Sequence, residues 1–116
     1  MGAVKEFNSN KIKRTFWPFT LKDKTDGDGN VVEHGKKIVV RMPQKGVFEA
    51  IKQIQTEDEE ETDIVAIYDI MEAVLNNNMG RVRIDRETIE DYDIEECTAI
   101  LEAYMEFVDQ LKSNPN

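Results

Sequence analysis

The sequence predicts an α+β fold: a β-hairpin or small antiparallel sheet packed on three to four helices. Three observations point there. Residues 1–45 carry ten Lys/Arg against five Asp/Glu, a net of +5, whereas residues 46–116 carry five against nineteen, a net of −14, within a total of −9. The basic part is rich in strand formers on either side of a turn-forming stretch. The acidic part repeats apolar residues at helical spacing.

At 116 residues the chain fits one domain, with a frayed start over 1–10, a hairpin over 11–42, a helical part over 43–112 and a tail over 113–116. Residues 11–22 (KIKRTFWPFTLK) suit a strand. Pro18 cannot donate to a ladder, so that strand belongs at an edge. Residues 23–30 (DKTDGDGN) form the turn, with Gly27 and Gly29 free to take positive φ. Val31, Val32 and then residues 37–42 (KIVVRM) give the returning strand, broken at His34-Gly35.

Pro43 suits the first turn of a helix running to Gln55, with Val47, Phe48, Ile51 and Ile54 on one face. Seven residues over 57–63 follow, six of them acidic. Their first part reads as a solvated linker, and Glu61 or Thr62 opens the next helix. Ile64, Ile67, Tyr68, Ile70, Met71, Val74 and Leu75 give that helix its stripe. Asn76-Asn77-Asn78 weakens it, and Gly80 ends it. Residues 81–84 (RVRI) alternate and suit a short extended piece, and residues 85–91 suit one or two helical turns. Asp93 with Glu96 is a capping-box pattern. It opens the clearest helix, from Ile94 to Lys112, with Cys97, Ile100, Leu101, Tyr104, Phe107, Val108 and Leu111 on one face.

Composition excludes several classes of chemistry. A single cysteine, Cys97, leaves no disulfide within the chain and fits a reducing cytoplasm. No apolar run nears the roughly 20 residues of a membrane span, and residues 1–10 hold no hydrophobic signal segment. No membrane partner is expected. One histidine, His34, removes most acid–base and metal arrangements. The acidic turn does not fit an EF-hand, because either glycine register puts a lysine (Lys22 or Lys24) at the first ligand position. There is no phosphate-cradling glycine loop and no nucleophile elbow. The expectation is a protein without cofactor or metal, and not an enzyme.

What remains is binding. Trp17 and Phe19 next to basic residues, the helical tyrosines Tyr68 and Tyr104, and the acidic residues Glu59, Glu60 and Glu61 are the candidate contacts for a protein partner. Arg81, Arg83 and Arg86 are candidate partners for the acidic run. The opposite poles favour head-to-tail association into a homo-oligomer.

Three stretches carry a family resemblance: KIKRTFWPFTL leading through a turn to KKIVVRMP, the helix DIVAIYDIMEAVL, and the closing TIEDYDIEECTAILEAYMEFVDQL. Together they cover most of residues 11–112, and the layout resembles the tail assembly chaperones of long-tailed phages and prophages. The resemblance implies a non-enzymatic cytoplasmic protein of the host cell, absent from the mature virion. It implies binding to the tape-measure protein and recruitment of the tail-tube protein. It also implies that this is the short form of a pair whose longer form arises by frameshifting. Two other readings stand beside it. One is an acidic inhibitor that presents carboxylates in place of nucleic-acid phosphates. The other is a single-strand nucleic-acid binder that uses Lys11, Lys13, Arg14 and the neighbouring aromatics. A sequence pI near 4.6 speaks against general nucleic-acid binding.

Overall fold

The computed structural model describes residues 8–9, 15–58 and 63–113. Its elements are β1 (Trp17–Thr20), β2 (Lys24–Thr25), β3 (Val31–Glu33), β4 (Lys37–Val40), α1 (Lys45–Thr56), α2 (Ile64–Asn76), α3 (Arg86–Glu90) and α4 (Ile94–Ser113). The fold is α+β, as the sequence predicts.

The hairpin carries two antiparallel ladders. β1 pairs with β4 in the register Trp17↔Val40, Pro18↔Val39, Phe19↔Ile38 and Thr20↔Lys37. β2 pairs with β3 nearer the tip. Alternation sorts the inner ladder's faces: Trp17 and Phe19 lie half-buried opposite buried Val40 and Ile38, while Pro18 and Thr20 face solvent. β1 is the outer strand of its pair, the place a proline tolerates. At the tip, Asp26 Oδ1 accepts from the main-chain N–H groups of Asp28 and Asn30, and Gly29 takes φ +85°.

Between the two ladders the strands touch too closely for side chains. Leu21 N–H donates to the Lys36 carbonyl at 2.9 Å, and Gly35 N–H donates to Asp23 Oδ1 at 2.8 Å. A Cβ on Gly35 would overlap the Leu21 carbonyl. This is the physical basis of the break at His34-Gly35.

The hairpin neck is tied to the start of α4. Lys22 N–H donates to the Tyr92 hydroxyl at 2.9 Å, and Lys22 Nζ reaches Glu96 Oε1 at 2.9 Å and the Asp91 carbonyl at 3.1 Å. Glu96 also closes the capping box: its N–H donates to Asp93 Oδ1, and its Oε1 accepts from Asp93 N–H. The Asp93 N–H, and then the Lys22 ammonium, hold the Glu96 carboxyl below its ordinary value of 4.5. The carboxyls of Asp26 and Asp85 are lowered as well, chiefly by the groups they cap. Carboxyls lowered by folding add stability above their unfolded pKa and lose it as pH falls through the folded one. The urea midpoint is therefore expected to drop below about pH 4.5, and Glu96→Gln to flatten that drop in a midpoint-against-pH series.

One core joins the sheet to the helices. Val40, Ile51, Met71, Leu75, Ile89, Cys97 and Tyr104 are fully buried in it. The predicted faces of α1, α2 and α4 supply most of it, with Met105 added on α4. The structure also corrects the reading in detail. α1 begins at Lys45 with Gln44 as its N-cap, so Pro43 lies before the helix. Arg41 N–H donates to the Asn77 carbonyl and Asn77 Nδ2 to the Met42 carbonyl, which holds residues 41–42 out of the helix. α2 starts at Ile64 behind Asp63, whose carboxylate accepts from Val65 N–H. Ile64 is exposed despite its place in the stripe. Residues 1–7, 10–14, 59–62 and 114–116 lie outside the described residues, so the expectations placed on them, including the frayed start, do too.

Candidate functional site

The three consecutive asparagines at the end of α2 organise the surface with the most distinctive geometry. Asn78 is 2% exposed, yet every polar atom of its side chain is satisfied. Its Nδ2 donates to the carbonyls of Leu75 and Val82, both at 2.7 Å, and its Oδ1 accepts from Val82 N–H at 2.8 Å. Asn76, two residues before it, repeats the pattern on Ile84: Nδ2 donates to the Ile84 carbonyl at 3.0 Å, and Oδ1 accepts from Ile84 N–H at 2.7 Å. Primary amides can do this because each carries a donor and an acceptor side by side, as a peptide group does. The main chain of residues 77–79 in turn bonds to β4, with Met79 N–H donating to the Val39 carbonyl at 2.8 Å. The run that weakens a helix in the sequence thus joins α2, β4 and residues 82–84.

Those residues form one wall of a basic cleft. It encloses about 200 Å³ and is lined by Lys22, Lys24, Lys36 and Arg83 against Glu33 and Asp85. Lys22 is committed to Glu96. Lys24, Lys36 and Arg83 make no ion pair among the described residues, nor does Arg81 beside them. Asp85 caps α3 by accepting from Thr88 N–H at 2.8 Å. Thr88 lowers its carboxyl most, with smaller contributions from Lys24 and Arg83. Arg81 is the one non-glycine with positive φ (+53°) among the described residues, directly after Gly80 at +88°. Such a conformation costs a side-chain-bearing residue about 1 kcal/mol. Met79 and Val82 are exposed next to these arginines.

The candidate contacts of the sequence reading fall into different environments. Trp17 is half-buried, with its ring 5.1 Å from Tyr104, 5.5 Å from Phe19 and 6.5 Å from Phe107. Phe19 is half-buried in the same cluster and lies 6.5 Å from Tyr92. Tyr68 is also half-buried, and its hydroxyl donates to the Tyr92 carbonyl at 2.6 Å. Tyr104 is a correction: it is fully buried and its hydroxyl donates to the Arg41 carbonyl at 2.5 Å, so it anchors the hairpin to α4. Burial alone pushes its phenol up. It reaches the surface only as the floor of a groove of about 350 Å³ between α1 and α2, lined by Pro43, Val47, Ala73 and Val74. Glu59, Glu60 and Glu61 lie outside the described residues. Of the arginines expected to pair with the acidic run, Arg86 binds Asp69 at 2.8 Å and Glu72 at 2.9 Å, and Arg81 and Arg83 make no ion pair among the described residues, which leave out residues 59–62 of that run.

The groups that sequence reasoning set aside as chemistry are placed as follows. Cys97 is buried, and burial pushes its thiol up, the reverse of what a thiolate nucleophile needs. His34 is exposed, with Nδ1 3.5 Å from Asp23 Oδ1. Among the described residues no cluster of three His, Cys, Asp or Glu is placed to hold a metal ion, and no helix is long and apolar enough to cross a membrane.

Compared with protein-family models, with curated proteins and with solved structures, the chain matches none. The functional reading therefore rests on the residues and their arrangement. Sequence reasoning missed the asparagine knot and the cleft beside it. The available signal was the R-V-R-I alternation following three amide side chains.

Proposed function

We propose that the chain is a non-enzymatic phage tail assembly chaperone, a binding module that holds the tape-measure protein and assists tail-tube assembly. The observation that carries the binding reading is the exposed apolar surface. Val32, Val65, Ile64, Met79, Val31 and Val82 are 70%, 61%, 57%, 55%, 48% and 38% exposed among the described residues. Scattered single apolar residues need no explanation, but adjacent pairs at a strand (Val31, Val32) and at a helix start (Ile64, Val65) favour contact with another chain. The groove between α1 and α2, lined by Pro43, Val47, Ala73 and Val74 together with Gln44, Asn76 and Asn77, is a further place for a side chain of the partner. The phage assignment itself rests on the sequence resemblance.

The test is a variant with Ile64→Ser and Val65→Ser. Both side chains are exposed, so folding stability is expected to stay within about 0.5 kcal/mol of the parent. Soluble yield of the co-expressed tape-measure protein is expected to fall. Unchanged yield with both substitutions would count against this surface.

The single-strand nucleic-acid reading loses support from Trp17, whose half-buried ring is tilted against Tyr104 and stacked on Phe107 and not presented as a free platform. The inhibitor reading retains the exposed acids Glu95, Glu102 and Glu106 on α4. It predicts binding that collapses with salt.

A further inference from the structure

The amides of Asn78 and Asn76 bond both main-chain groups of Val82 and Ile84, which is what a neighbouring strand does for alternate residues. With strand alternation, the N–H and C=O of the residue between them turn the other way. Arg83 is that residue, and its main chain makes no hydrogen bond among the described residues. Its side chain is exposed and lines the basic cleft with Lys24 and Lys36. Residues 82–84 belong to none of the four strands, but their main chain is bonded on one side by side-chain amides, as a strand's would be by its neighbour, while the Arg83 groups stay unbonded among the described residues.

We infer that this open edge takes an extended acidic peptide segment of a partner protein, which pairs with the main chain of Arg83 while its carboxylates meet Arg81, Arg83, Lys24 and Lys36. Main-chain pairing supplies affinity and the flanking side chains supply choice of partner. Charge complementarity selects the occupant. Three cations free of ion pairs among the described residues, Lys24, Lys36 and Arg83, line the cleft against Glu33 and the capping carboxylate of Asp85, and Arg81 lies on the adjoining pocket, whose Asp69 and Glu72 are both paired with Arg86. Val82 and Met79, both exposed, add apolar contact that suits a peptide alternating acidic and aliphatic residues. A nucleic acid fits less well, because no Phe, Tyr or Trp side chain lines the cleft as a stacking platform. The inference rests on the reading of the chain as a protein-binding module and names the site and the chemistry of its partner.

The test uses the full chain and a blocked peptide of alternating Glu and Val, about six residues long. Amide hydrogen exchange by NMR follows Arg83. Its amide is expected to exchange freely in the chain alone and to slow on adding peptide. Arg81→Glu with Arg83→Glu is expected to weaken binding by about tenfold or more, with an unchanged thermal midpoint. The same peptide N-methylated at alternate amides is expected not to bind. Equal binding of the N-methylated peptide would overturn strand pairing. Tighter binding of oligothymidylate at the same amides would overturn the peptide in favour of nucleic acid. An Arg83 amide protected at high protein concentration without peptide, and released on dilution, would assign the edge to a second copy of the chain. Peptide failure on a chain that still keeps the tape-measure protein soluble would overturn the edge alone, and failure of both would overturn the binding reading with it.

Discussion

Gly35→Ala is expected to destabilise the chain by about 3 kcal/mol, read as a fall in the urea midpoint. The added Cβ would overlap the Leu21 carbonyl and crowd the Lys22 carbonyl carbon. Neither atom is free to move. Leu21 N–H is bonded to the Lys36 carbonyl, and Lys22 N–H to the Tyr92 hydroxyl. Shifting the backbone would therefore strain the inner ladder and the tie to α4 together. Gly27→Ala is the matched control, because nothing lies within 4 Å of its Cβ position and its φ needs no glycine. There the expected change is neutral to stabilising by about 0.5 kcal/mol, through the unfolded chain.

Asn78→Ala carries the second large effect. It removes three hydrogen bonds of 2.7–2.8 Å from a site that is 2% exposed. Each buried group left without a partner costs about 1–3 kcal/mol, so a loss of about 3 kcal/mol is expected. The effect should spread: with residues 82–84 released, amide exchange should speed up at Val82 and Ile84 before it does in α4. Asn78→Asp separates hydrogen bonding from shape. A carboxylate still accepts from Val82 N–H but cannot donate to the Leu75 and Val82 carbonyls. Its burial raises its folded pKa, so the variant is expected to regain stability as pH falls through that value, opposite in sign to the Glu96 effect.

Particular elements explain what the sequence made legible. The Asp93–Glu96 box was readable because both its bonds are local, three residues apart. The stripes of α2 and α4 were readable because a helix folds its own periodicity into one face, and Met71, Leu75, Leu101 and Val108 all reach the core. The break at His34-Gly35 was visible as a glycine between strand formers, though its cause, contact with Leu21 across the hairpin, is not local. The asparagine run was rightly read as weakening the helix, since α2 ends at Asn76, but the partners of its amides were hidden for the same reason. Amide side chains are poor helix formers by propensity, and here they end the helix in order to bond residues four to eight positions on. Tyr104 was misplaced because a tyrosine on an apolar face reads equally as core or as contact until its hydroxyl's partner, the Arg41 carbonyl, is known. The charge poles were plain in composition, but pairing was not. Arg86 is held by Asp69 and Glu72 on α2, while Arg83 lines the cleft and Arg81 the adjoining pocket, neither in an ion pair among the described residues.

The central claim is that this chain works by holding another protein. The direct measurement is the mass, by size-exclusion chromatography with light scattering, of the chain co-expressed with its proposed partner, a phage tape-measure protein. A soluble complex with several copies of this chain on each tape-measure protein is the predicted result. A lone monomer of this chain beside precipitated tape-measure protein would contradict it.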